Sequence, residues 1–84
     1  LASWATDACN ISASWDNSDS PESDRARVAR SLSAAVPDDD TSTIAELSRA
    51  FVTAVADRDD AALPDAGERL RDECIAKGWE PAEG

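Results

Sequence analysis

Apolar residues recur at helical spacing in four stretches of the chain, and no stretch alternates with period two. In the first, about Ala2 to Trp15, the residues Trp4, Ala8, Ile11 and Trp15 fall at i, i+4, i+7 and i+11, one face of a helix. The polar run Asp16-Asn17-Ser18-Asp19-Ser20 breaks that pattern with turn-forming side chains. The second helix is expected to start at Pro21, capped by Ser20, because proline lacks an N–H that would be unpaired there anyway. Glu22 and Asp24 add negative charge at the positive end of its dipole. Its apolar stripe is Val28, Leu32, Ala35 and Val36, and Pro37 ends it because the residue before a proline resists helical ψ.

Asp38-Asp39-Asp40 is expected to open the third helix, with Thr43-Ile44-Ala45-Glu46 fitting a capping box. Its stripe is Ile44, Leu47, Phe51, Val52 and Val55. The fourth helix is expected over about Asp60 to Lys77, with Leu63, Ala66, Leu70 and Cys74 on one face and Gly78 as C-terminal cap. Pro64 allows two beginnings: the helix starts there, or a short turn precedes it. Trp79 follows the cap and is placed to cover the end of a bundle. Four amphipathic segments joined by short polar connections predict an all-α fold, a small up-down bundle of about four helices. Residues 1–79 form its single domain and residues 80–84 a flexible C-terminal tail.

Composition sharpens this picture. The hydrophobic fraction of 42% includes seventeen Ala and two Cys, which leaves sixteen larger apolar side chains among 84 residues. So thin a core calls for a covalent staple or a partner. With Cys9 on the first helix and Cys74 on the last, neighbours in an up-down bundle, a Cys9–Cys74 disulfide would close nearly the whole chain. The competing reading is two small buried hydrophobes with free thiols. Two thiolates without a histidine do not complete a zinc site, and there is no CxxC pair or histidine base for thiol catalysis.

Charge excludes more. Eighteen acids against eight bases give a net charge of −10, with seven of the bases arginine. This leaves no basic groove for a phosphate backbone, so nucleic acid is not an expected partner. No apolar run exceeds three residues, so the chain has no membrane span and no signal-peptide core. The acids are spread over caps, loops and outer faces, which suits a solubilising surface. A protein partner with a basic surface is the alternative use of those carboxylates, as in an intracellular acidic inhibitor or a DNA-mimic-like antagonist. Arg25, Arg27, Arg30, Arg69 and Arg71 interrupt the acidic rows that DNA imitation needs.

No catalytic, cofactor or metal residues emerge. Asp57, Asp59, Asp65 and Glu68 fall at positions 1, 3, 9 and 12 of an EF-hand count. Ala62 stands where that loop needs glycine, and Pro64 intrudes, so a helix connection with capping aspartates is the preferred reading. Without histidine and without a GxSxG motif the usual serine triad is absent, which points to a non-enzymatic protein with no cofactor. Asn10-Ile11-Ser12 matches the N-glycosylation sequon but lies inside the first helix. Trp4, Trp15 and Trp79 are assigned to the core, the sharper alternative being an exposed Trp that anchors a partner. No heptad pattern demands a dimer, so monomer and dimer both stay open.

Trp4, Cys9 and Trp15 at one end, with Leu70, Cys74 and Gly78-Trp79 at the other, resemble small helical domains of exported actinobacterial proteins of uncharacterised function. The resemblance spans most of the chain and implies a disulfide-linked helical domain outside the cytoplasm. It brings no catalytic or binding residues. The chain starts at Leu1 rather than Met, which fits a processed chain or a fragment. Trp4 stands where a lipoprotein signal would place its acylated Cys after Leu1-Ala2-Ser3, so no lipid anchor is read here. The expected location is secreted or on the exterior of the cell envelope, with the signal or anchor outside this chain.

Overall fold

A computed structural model describes residues 2–16 and 21–80. Four α-helices follow one another: α1 (Ser3–Asp16), α2 (Pro21–Ala35), α3 (Thr43–Ala56) and α4 (Leu63–Ala76). The expected Ser20 cap, and the tail beyond Glu80, lie outside the described residues. The helix α1 packs beside α2 and α4, and α3 packs beside the same two, which is the ring of an up-down bundle. The helix α1 also touches α3 across the centre, where the Trp15 and Phe51 rings meet edge to face at 5.1 Å and 76°. The radius of gyration is 11.5 Å, close to the roughly 12 Å expected of a folded chain this long.

The helix boundaries follow local chemistry. Pro21 is the first residue of α2, and α2 stops at Ala35, before Pro37. The start of α3 differs from the sequence expectation by one residue. Ser42, not Thr43, is the N-cap, with extended backbone and a hydroxyl that accepts the Ala45 N–H at 3.4 Å. Asp40 prepares that cap, since its carboxylate accepts the Ser42 N–H at 2.8 Å. Glu46 therefore sits one residue past the capping-box position and acts only through its charge in the first turn.

The fourth helix begins at Leu63, not near Asp60. A turn over residues 59–62 precedes it, closed by Ala62 N–H to the Asp59 carbonyl at 3.1 Å. Pro64 then occupies the first turn of the helix, where its missing donor costs nothing. Both α3 and α4 end in the same six-residue wrap. In α4, Trp79 N–H reaches the Cys74 carbonyl and Gly78 N–H the Ile75 carbonyl, both at 3.0 Å, with Gly78 at φ 98°. In α3, Asp59 N–H reaches the Ala54 carbonyl at 2.9 Å and Arg58 N–H the Val55 carbonyl at 3.2 Å. Both follow the Schellman pattern, which needs a left-handed residue at its corner. Arg58 fills that corner in α3 at φ 56°, without glycine's freedom.

The expected stripes Val28, Leu32 and Val36 of α2 and Leu63, Ala66, Leu70 and Cys74 of α4 are buried, whereas in α1 and part of α3 the buried face is rotated from the large residues towards small ones. In α1 the buried positions are Ala5, Ala8, Cys9 and Ser12, while Trp4, Ile11 and Trp15 are half-buried on the flanks. In α3, Ile44 and Phe51 are buried with Ala45, Ser48 and Ala54, and Leu47, Val52 and Val55 are only partly covered. Small residues on the line of closest approach let the axes come together, and the larger side chains fill the gaps beside it. This is how a chain with few bulky residues closes a core. The hydroxyl of buried Ser48 donates to the Ile44 carbonyl at 2.8 Å, so no orphaned polar group results there.

Candidate functional site

The strongest local construction joins the first helix to the end of the last. Cys9 follows Ala8 on the buried side of α1, and Cys74 lies on the buried face of α4 in its final turn. Their Cα atoms are 5.9 Å apart, and the two sulfurs form a disulfide across 65 residues of sequence. The two cysteines are 1% and 0% exposed, so thiols in solution do not reach the bond in the folded state. Both cysteines expected to pair do so, and the free-thiol reading gives way.

A second tie lies beside the first. The Schellman wrap after Cys74 turns the chain back at Gly78 and lays Trp79 onto the core, where it is 7% exposed. Its indole Nε1–H donates to Asn10 Oδ1 at 3.1 Å. Asn10 follows Cys9 on α1, so neighbouring residues of one helix hold Cys74 covalently and Trp79 by hydrogen bond. Trp79 thus packs into the core, the role expected of it, but its partnership with Asn10 was not read from the sequence. The signal for it was the glycine: Gly78 at the corner position makes Trp79 the residue that folds back on the helix. Asn10, the sequon asparagine, is already engaged, and Ser12 of the same sequon is buried.

Three of the four acids counted as calcium candidates do separate jobs, and the fourth, Glu68, is exposed on α4. Asp57 is the C-cap of α3, and the Asp59 carboxylate accepts the Ala62 N–H at 3.3 Å. Asp65 pairs with Arg69 one turn along α4, at 2.9 Å. Among the described residues, no three Cys, Asp or Glu side chains converge on a common point as metal ligands would. Asp60 pairs with Arg25, tying the α3–α4 turn to the first turns of α2. At the other end of α2, Arg49 of α3 donates to the Pro37 and Asp38 carbonyls at 2.8 and 3.1 Å.

Electrostatic tuning is seen at the α3 cap. Hydrogen bonds from the Ser42 hydroxyl and then its backbone N–H hold the Asp40 carboxyl below its ordinary range, partial burial opposes them, and the Arg49 charge adds to the lowering. Asp40 is a partly exposed group whose carboxylate supports the α3 cap. No helix among the described residues is long and apolar enough to cross a membrane. Compared with family models, with curated proteins and with solved structures, the chain matches none.

Proposed function

We propose that this chain is a non-enzymatic helical domain that works outside the cytoplasm, as a structural or protein-binding module. The observation that carries the reading is the buried Cys9–Cys74 disulfide, which spans 65 residues of an 84-residue chain. Such a bond forms and persists where the surroundings are oxidising, and small exported domains rely on it to offset a limited core. The −10 charge suits a small protein that must stay dissolved and monodisperse in the medium or the envelope. The non-enzymatic part of the reading is supported by the absence of histidine and by the burial of both cysteines in the disulfide.

The test is to produce the chain in one bacterial host, once with an export signal and once without, and to compare the soluble, protease-resistant yield. The expected result is a folded, oxidised protein only in the exported pool. Equal yields of a folded protein with two free thiols in the cytoplasm would remove the reading, and would favour a cytoplasmic acidic antagonist of a basic protein.

A further inference from the structure

The charge of the chain is unevenly placed. By sequence, α2 carries Arg25, Arg27 and Arg30 against Glu22 and Asp24, and α3 carries Arg49 against Glu46. These two helices together are +1, in a chain of −10, so the remainder carries −11. Between them runs an open groove walled by Ala29, Arg30, Ala34, Val52, Val55 and Ala56. It continues past Ser33 and Val52 towards Leu32, Val36 and Arg49, where Asp38 also lines it, so the cation offered to a partner is Arg30 at the other end. Val52 and Val55, which the sequence placed in the core stripe, are only partly covered there. Arg30 is exposed on the rim and has no ion-pair partner among the described residues.

We propose that the α2–α3 groove docks an amphipathic helix of another protein, apolar on the docking side and carrying Asp or Glu where it meets Arg30. Alanine walls admit a helix closely, and the two valines give it an apolar floor. The unpaired guanidinium selects a carboxylate at the rim. A second copy of this chain fits poorly. Two-fold pairing through this face sets the arginine-bearing α2 against the same face of its twin, and pairing with the acidic side of a copy does not close on itself. Because the whole chain repels an acidic partner at long range, affinity comes from the apolar contact, and Arg30 fixes orientation and choice.

The inference rests on the protein-binding half of the proposal above. It is tested by panning a displayed library of helical peptides against the intact, disulfide-bonded chain. The expected winners have an apolar stripe flanked by acids. Their affinity, read by fluorescence anisotropy, drops at least tenfold for Arg30→Glu and for Val52→Asp, and stays unchanged for Glu68→Lys on α4. Arg30 is exposed, so Arg30→Glu keeps the wild-type melting curve and serves if Val52→Asp unfolds. Winners flanked by bases, winners insensitive to Arg30→Glu, or no enrichment would each overturn the assignment. So would a dimer in sedimentation equilibrium that Arg30→Glu dissociates. None of these outcomes depends on the compartment in which the disulfide forms, so this test and the export test fail separately.

Discussion

Reducing the Cys9–Cys74 bond is the most informative perturbation of this fold. The bond closes a loop across 65 residues. In the chain-entropy description that closure removes about 15 cal/mol/K from the unfolded state, or roughly 4 kcal/mol at 25 °C. Unfolding entropy of about 2.1 cal/mol/K per residue gives a chain this long roughly 0.18 kcal/mol/K, so 4 kcal/mol lowers Tm by about 20 °C. Domains of this class hold only about 5–15 kcal/mol in total, so the reduced chain sits near the edge of stability. The assay is circular dichroism at the helix band during heating. Because both sulfurs are buried, the chain must be reduced in denaturant and refolded with reductant present. Reduction leaves both side chains in place, so cavity formation does not enter the difference. A Tm shift below about 5 °C would refute the reasoning, because loop closure would then contribute little to stability.

Substitutions at five positions separate the other supports. Replacing Trp79 by Phe keeps most of the ring but removes the donor to Asn10, with an expected cost of about 1 kcal/mol in urea melts. Trp79→Ala should cost about 3–5 kcal/mol. Arg58→Gly should stabilise by about 1 kcal/mol, because Arg58 stands at φ 56° in the corner of the α3 wrap. Gly78→Ala should destabilise by a similar amount although open space surrounds that position, since φ 98° is the obstacle. Ser42→Ala should cost about 0.5–1 kcal/mol through loss of the α3 cap. Asp40 has a folded pKa below its ordinary 3.8, so its contribution is present above about pH 4 and is lost as pH falls through the lowered value. The gap in Tm between wild type and Asp40→Ala should therefore be open at pH 7 and close in strong acid.

The fold was legible in the sequence because its punctuation is strong. Proline at 21 and 37 and glycine at 78 bracket helices whose apolar periodicity is clear. The cysteines were legible as a pair because an up-down order makes the first and last helices neighbours. What failed concerned small residues and single hydrogen bonds. The stripes of α2 and α4, through Val28, Leu32, Leu63 and Leu70, are buried as drawn, whereas in α1 and part of α3 the stripe residues lie on the flanks and buried positions fall to Ala5, Ser12, Ala45 and Ser48, which hydrophobic spacing passes over. Ser42 and Thr43 both carry a hydroxyl able to cap. The choice between them was made by Asp40, whose carboxylate holds the Ser42 N–H two residues on. The bond from Trp79 to Asn10 spans 69 residues and leaves no local trace beyond Gly78.

The central claim is that Cys9 and Cys74 are joined in the protein where it works. Intact mass of the chain from its native host, trapped with an alkylating reagent under denaturing conditions, tests it directly. The expected result is a mass two hydrogens below that of the dithiol, with no alkyl group added. Two alkylated cysteines would contradict it, and would place the protein in a reducing compartment, with its thin core unstapled.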